Sequence, residues 1–126
     1  MEITVSNEQG NAPVTVIRLV GKLDVNSYLL LQQKAEAALG AGAANLLIDL
    51  SGVSYMSSAG VRALNHVYRL LHQPSQKPAQ PQAHQKSTRF KLLGPTRDVE
   101  DVLTMAGVDI FLEFHHDRQK AIASFG

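Results

Sequence analysis

Apolar residues form a nearly unbroken run over residues 46–50, in the middle of the chain. A short apolar run closed by Ser51 and Gly52 is typical of a strand buried on both faces, as in the centre of a sheet covered by helices. Farther along, five apolar residues recur at the spacing of an amphipathic helix: Val61, Leu64, Val67, Tyr68 and Leu71. The pattern predicts a buried strand at 45–50, a loop at 51–56 and a helix at about 58–72.

The residues before this segment predict a hairpin followed by a helix. Residues 3–5 alternate between apolar and polar, and residues 14–21 are rich in β-branched side chains, so two strands are expected to flank a loop at 7–13. From about residue 26, apolar positions recur at helical spacing until two glycines end the pattern: Tyr28, Leu31, Ala35, Ala38 and Leu39, then Gly40 and Gly42.

The last third of the chain predicts a strand, a helix, a strand and a short helix. A strand at 89–93 leads into a helix that Thr96 is placed to cap and Gly107 is placed to close. Residues 108–114 predict a final strand, and Asp117 opens a short helix. The order β-β-α-β-α-β-α-β-α predicts one α/β domain, with a mixed, mostly parallel sheet packed against about four helices.

A segment at about 73–88 differs from the rest of the chain. It is rich in glutamine and proline, and between residues 73 and 87 its apolar side chains are no larger than alanine and proline. Such a composition buries too little apolar surface to offset the entropy of ordering it. We therefore expect a flexible surface insertion, rather than a polyproline docking peptide, because the proline spacing is irregular and flanking arginines are missing.

Length and composition support one globular domain. The chain has 126 residues, of which 44% are hydrophobic and 18% are charged, and this suits a single core. A net charge of +1 favours neither nucleic acid nor an anionic membrane surface. No stretch approaches the ~20 apolar residues of a membrane helix, and the first residues lack the features of a signal peptide. We expect a cytoplasmic protein without nucleic-acid or membrane partners.

The sequence indicates no catalytic, metal or cofactor site. Residues 56–60 lack the first glycine of the hydrolase pattern Gly-x-Ser-x-Gly, and no histidine is placed near Ser58 by the pattern of the chain. His115, His116 and Asp117 are adjacent at a predicted strand end, where neighbouring side chains point apart, so a solvated turn is favoured over a metal site. The chain has no cysteine, so a disulfide framework, a thiol nucleophile and a cysteine-ligated metal are excluded.

Ser57 and Ser58 stand at the predicted start of the second helix. A helix start carries free backbone N–H groups and the positive end of the helix dipole, so a serine there can cap the helix or carry a phosphate. Gly60 costs the first turn stability relative to alanine. This indicates that another backbone or a partner approaches closely at Gly60.

Residues 48–61 (Ile-Asp-Leu-Ser-Gly-Val-Ser-Tyr-Met-Ser-Ser-Ala-Gly-Val) resemble the signature of the STAS family, the sulfate transporter and anti-sigma factor antagonist domain. In that family a strand ends in Asp-Leu-Ser and the next helix begins with Asp-Ser-Ser/Ala-Gly. Two further segments are similar to the family: Gly21-Lys22-Leu23-Asp24, and Leu93-Gly94-Pro95 followed by Leu103, Gly107 and Phe111. The resemblance implies a STAS domain over residues 1–126, with 73–88 as an insertion.

The resemblance also implies an anti-sigma factor antagonist that acts by partner switching. Such a protein is a kinase substrate and not an enzyme, and we expect it to have no cofactor. In such a protein the serine at the helix start, here Ser58, is phosphorylated by an ATP-binding partner that is both a serine kinase and an anti-sigma factor. Only the unphosphorylated form binds that partner and frees the sigma factor, and a metal-dependent serine phosphatase removes the phosphate. Ser57 stands where the family commonly has aspartate, and its hydroxyl is the alternative phosphorylation site.

The docking surface implied by the resemblance surrounds the helix start. Asp24 matches the family's loop aspartate and is expected beside Ser58. The other expected partner-binding residues are Met56, Ser57, Gly60 and Val61, together with Ser58 itself. The alternative function is that of a constitutive interaction or scaffold subunit of a transporter or stress-sensing complex, in which the serine is only a helix cap.

Overall fold

The computed structural model describes residues 1–72 and 86–125. Its sheet has five strands in the order β1-β2-β3-β4-β5: β1 (Glu2–Gln9), β2 (Pro13–Leu23), β3 (Leu46–Met56), β4 (Phe90–Leu93) and β5 (Glu113–His115). β1 pairs antiparallel with β2, and every later pair is parallel. The predicted hairpin followed by a largely parallel sheet is confirmed.

Five helices connect or follow these strands: α1 (Tyr28–Gly40), α2 (Ser58–Leu71), α3 (Arg97–Met105), α4 (Val108–Phe111) and α5 (Arg118–Ala123). Two predicted caps of these helices are confirmed: Thr96 accepts the N–H of Val99 at 3.3 Å, and Asp117 accepts the N–H of Lys120 at 3.0 Å. Across the described residues, none of the helices is long and apolar enough to cross a membrane.

The predicted burial of the central strand on both faces is confirmed. One face of β3, with Leu46, Ile48 and Leu50, packs into a large core with α1 to α4. The other face contributes Leu47 to a smaller cluster with Ala121 and Phe125 at the C-terminal end of the chain. Helices therefore cover both faces of the sheet around β3, as parallel strands require.

Two predicted boundaries are wrong. β3 does not end at residue 50 but continues through the predicted loop 51–56, because residues 20–23 of β2 go on pairing with it. This extended pairing is irregular, with register shifts between Arg18 and Val20 and between Gly21 and Lys22. The second wrong boundary is the start of the hairpin loop, which was predicted at residue 7, whereas β1 continues to Gln9.

The predicted strand at 108–114 is also wrong for its first half. Gly107 adopts a left-handed backbone with φ of 79°, and the one-turn helix α4 follows it. Val108 and Leu112 are buried, whereas Ile110 between them is 62% exposed. An alternating strand would have placed all three on one face, so the helical spacing of four residues prevails here. Only residues 113–115 form the strand β5. The predicted Gln/Pro-rich insertion at 73–88 lies, for residues 73–85, outside the described residues.

Candidate functional site

The candidate site lies where β2 and β3 end side by side. Leu23 and Met56 are register partners in this parallel pair, and the backbone N–H of Ser57 donates to the Leu23 carbonyl at 3.0 Å. The chain then diverges, into the loop of Asp24 on one side and into α2 on the other. The sheet thus brings the two segments singled out by the sequence, residues 21–24 and 56–61, to one edge.

Ser57 is the N-cap of α2. Its backbone is extended (φ −96°, ψ 177°), and its Oγ accepts the N–H of Ala59 at 3.2 Å. The side chain is half-buried. Serine and aspartate are about equally good N-caps, so Ser57 caps the helix without adding a carboxylate.

Ser58 is the first residue of α2, and its side chain is exposed. Within the described part of the chain, its hydroxyl has no hydrogen-bond partner, in contrast to the Ser57 hydroxyl. The first turn of α2 contains no acidic residue. Ser58 therefore offers an accessible, unengaged hydroxyl at the positive end of a 14-residue helix.

Asp24 is held in a fixed turn beside this helix start. Its Oδ1 accepts the N–H of Asn26 at 2.9 Å, and its own N–H donates to Ser27 Oγ at 3.0 Å. The Ser27 hydroxyl in turn donates to the Lys22 carbonyl at 2.7 Å. These bonds fix the backbone that leads from β2 into α1, so the Asp24 carboxylate is presented by a rigid turn.

Gly60 is required by close packing. A Cβ at this position would lie 2.8 Å from the Leu23 carbonyl oxygen and 2.9 Å from Met56 Cγ. The prediction that another backbone approaches Gly60 is confirmed, and that backbone is the chain's own β2. Among the expected partner-binding residues, Met56, Gly60 and Val61 are buried. Asp24 and Ser57 are half-buried and Ser58 is exposed, so these three are the accessible members of the set.

Three exposed apolar side chains lie close in the chain to the residues of this site, and the sequence patterns did not predict their exposure. Val25 is 69% exposed, Leu29 53% and Tyr55 52%. By chain position they follow Asp24, lie in the first turn of α1 and precede Met56. A signal was present in the sequence for one of them, because Leu29 lies off the apolar stripe of α1 that faces the core. Exposed apolar groups next to an accessible polar site are typical of a protein-docking surface.

The described histidines lie in contacts away from the two serines. His66 pairs with Glu36 at 3.0 Å, His72 with Ser87 at 2.6 Å and His115 with Glu113 at 2.9 Å. Burial lowers the pKa of His72, and the nearby Arg89 guanidinium lowers it further. Among the residues that the structure covers, no histidine bonds to Ser57 or Ser58, so neither serine has an imidazole base beside it as in a Ser-His pair.

Comparisons with known proteins agree with this architecture. The family model described as "Mlab, STAS domain" matches residues 6–77, more than half of the chain. An anti-sigma factor antagonist from Mycobacterium paratuberculosis has a similar structure, with a TM-score of 0.74 and 20% identity, over 98% of this chain and 93% of that one. None of the curated proteins matches the chain.

Two solved structures of the anti-sigma factor antagonist SpoIIAA are also similar. The unphosphorylated form has a TM-score of 0.69 at 23% identity, over 94% of this chain and 93% of that one. The phosphorylated form, from Bacillus, has a TM-score of 0.62 at 22% identity, over 94% and 96%. At these identities the likeness shows a shared fold, the SpoIIAA-like mixed α/β domain.

Proposed function

Because the chain belongs to the STAS domain family, we propose that it is an anti-sigma factor antagonist whose binding to its partner is switched by phosphorylation of Ser58. STAS domains of this kind are binding proteins and not enzymes, as the sequence predicts for this chain. We further infer that residues 1–126 form one STAS domain, since the similar antagonist covers 98% of the chain. The Gln/Pro-rich segment at 73–88 is then an insertion within that domain.

The proposal is supported mainly by the different positions of the two serines, one of which caps the helix while the other is exposed. Ser57 caps α2, so Ser58 is not needed as a cap, and its exposed hydroxyl remains for another use. A kinase would transfer the γ-phosphoryl group of ATP to Ser58 Oγ, with release of ADP and of the hydroxyl proton. Ser57 is the less accessible acceptor, because it is half-buried and its Oγ already accepts the Ala59 N–H.

The physical effect of the phosphate would be felt mainly in the interface. A phosphate at a helix start stabilises the helix locally, so the fold is expected to survive the modification. Val25, Leu29 and Tyr55, close in the chain to this site, are exposed and suit an apolar contact. A group with nearly two negative charges within the interface must be desolvated on binding, and this weakens the complex.

The proposed partners follow from this switch. The unphosphorylated chain binds an anti-sigma factor that is also an ATP-dependent serine kinase, through Asp24, Ser57 and Ser58, with Met56, Gly60 and Val61 supporting the surface. A metal-dependent serine phosphatase restores the binding form. SpoIIAA has been solved in phosphorylated and unphosphorylated forms, and this supports a phosphorylation switch on the same fold.

The test is a binding titration against the purified ATP-binding serine kinases encoded in the same genome. Wild type and Ser58→Ala should bind one of them equally, whereas Ser58→Asp should bind at least about tenfold more weakly, the effect of roughly 1.4 kcal/mol. Asn7→Asp is the matched control, because it adds a negative charge at an exposed position of β1 that pairs with Thr15, at the opposite end of β2 from Leu23; it should bind like the wild type. Equal affinities of Ser58→Ala and Ser58→Asp for the cognate kinase would refute the switch. Binding of a transporter or scaffold subunit by all variants alike would favour the alternative function.

A further inference from the structure

Ser58 and Arg62 occupy the same exposed strip of α2. Over residues 58–64 these two side chains are exposed, whereas the five others are buried: Ala59, Gly60, Val61, Ala63 and Leu64. They are four residues apart, and residues at this spacing are neighbours on a helix surface. The burial of the intervening residues fixes which side of the helix Ser58 and Arg62 share.

The direction of the helix favours contact between them after modification. Side chains on a helix lean toward its N-terminus, so the Arg62 side chain extends back over the turn that begins at Ser58. An anion at position i with a cation at position i+4 is also the more favourable order for a helical ion pair. The planar guanidinium can donate two parallel hydrogen bonds to phosphate oxygens, which an ammonium group cannot.

No carboxylate of α2 competes for Arg62. The helix contains no aspartate or glutamate from Ser58 to Leu71. Elsewhere, arginines with an acidic neighbour use it: Arg18 and Arg118 lie 4.0 and 3.9 Å from Asp49 Oδ2. Within the described residues, Arg62 has no such ion pair, and His66 one turn farther along is engaged by Glu36 at 3.0 Å. A phosphate on Ser58 would supply the missing anion.

We propose that Arg62 is the intramolecular partner of the phosphate on Ser58, a positioning residue that holds the phosphorylated state. This inference rests on the proposed function and specifies its regulation. The Arg62 guanidinium donates to the phosphate oxygens, and the pair lies along the surface of α2. The contact stabilises the phosphate dianion and slows hydrolysis of the phosphoserine by a phosphatase. The lifetime of the phosphorylated protein, which is released from its partner, therefore depends on Arg62.

The experiment uses the full chain with phosphoserine incorporated at position 58 during synthesis, so no kinase is needed. ³¹P NMR follows the titration of the phosphate in three proteins: the parent, Arg62→Gln and Arg69→Gln. Arg69 is the matched control, because it is exposed on the same helix but lies about 16 Å from Ser58 along the helix axis, beyond the screening length at physiological salt. Lys22, Asp24 and the Met1 amino group, which lies near Gly21, are present in all three.

Arg62→Gln should raise the midpoint of the phosphate titration by about 0.3 pH unit, as a helical ion pair of roughly 0.4 kcal/mol requires. Arg69→Gln should leave the midpoint unchanged. A general serine phosphatase should also release phosphate about twofold faster from Arg62→Gln than from the parent, by the same energy. Equal midpoints in Arg62→Gln and Arg69→Gln would overturn the inference. The proposed function would fail separately, through the binding titration of unphosphorylated protein.

Discussion

Substitution of Gly60 by alanine tests the packing that holds the helix start against the sheet. The added Cβ would lie 2.8 Å from the Leu23 carbonyl oxygen, 2.9 Å from Met56 Cγ and 3.0 Å from Leu23 Cγ. The carbonyl is the decisive contact, because it belongs to the backbone of β2 and also accepts the N–H of Ser57 at 3.0 Å. It cannot withdraw from the new methyl group without straining that hydrogen bond.

The expected magnitude follows from two opposing effects. Overpacking of a tight site costs roughly 1–3 kcal/mol, and the immobile backbone neighbour places Gly60 in the upper part of that range. Replacing glycine by alanine in a helix returns up to about 1 kcal/mol. Gly60→Ala should therefore lower the free energy of unfolding by about 1.5 kcal/mol.

Gly40→Ala is the matched control. Gly40 is the last residue of α1, and a Cβ there would meet no atom within 4 Å. Because no steric clash opposes the gain in helix propensity, this variant should be more stable than wild type by about 0.5 kcal/mol. Urea unfolding followed by far-ultraviolet circular dichroism measures both, with the slope m unchanged. A Gly60→Ala protein that is as stable as Gly40→Ala would refute the packing described at the helix start.

Three further predictions concern the caps, a histidine and a buried lysine. Ser57→Ala removes the N-cap and should lower the free energy of unfolding by about 1 kcal/mol. Ser58→Ala should change it by less than about 0.5 kcal/mol, and urea unfolding of both variants measures the difference. Ser87 Oγ accepts the N–H groups of Arg89 and Phe90 and so donates its proton to His72. In the folded chain the pKa of His72 lies below the unfolded value of 6.5. The contribution of neutral His72 to the free energy of unfolding is therefore complete above pH 6.5 and is lost as the pH falls through the lowered pKa. His72→Gln should reduce this loss in urea unfolding at a series of pH values, and an unchanged pH dependence would contradict the role of His72. Lys91 is 3% exposed, and its ammonium group donates to Ser124 O and Oγ at 3.0 Å and pairs with Glu113 at 3.5 Å. Lys91→Ala should therefore lower the free energy of unfolding in urea by about 2 kcal/mol or more. A loss under about 0.5 kcal/mol would contradict a stabilising role for these contacts.

The elements with strong periodicity could be predicted from the sequence, and those shaped by distant contacts could not. The apolar run at 46–50 and the stripe of α2 each require burial whatever surrounds them. The continuation of β3 to Met56 depends instead on pairing with residues 20–23 of β2, which no local pattern encodes. The sequence predicts a strand in place of the one-turn helix α4, because the apolar residues Val108, Ile110 and Leu112 recur at every second position, as in a strand. The left-handed Gly107 and the burial of Val108 and Leu112 decide otherwise.

The same distinction applies to the candidate site. Ser57, Ser58 and Gly60 could be singled out locally, because helix starts have recognisable residues. Which serine caps the helix is decided by the backbone conformation of Ser57, and the sequence left both open. The burial of Met56 and Val61 and the exposure of Val25 and Tyr55 depend on how β2, β3 and the two helices meet. The structure therefore separates the predicted partner-binding residues into buried and accessible ones, a distinction that the sequence alone does not make.

The proposed switch requires that Ser58 carry a reversible phosphate in the cell. Intact and fragment mass spectrometry of the protein isolated from its own cells, before and after treatment with a serine phosphatase, measures this phosphate. A strain carrying Ser58→Ala serves as the control. We expect one phosphoryl group on Ser58, which the phosphatase removes and which is missing from the control strain. A phosphate found on Ser57 alone, or none under any growth condition, would refute phosphorylation of Ser58.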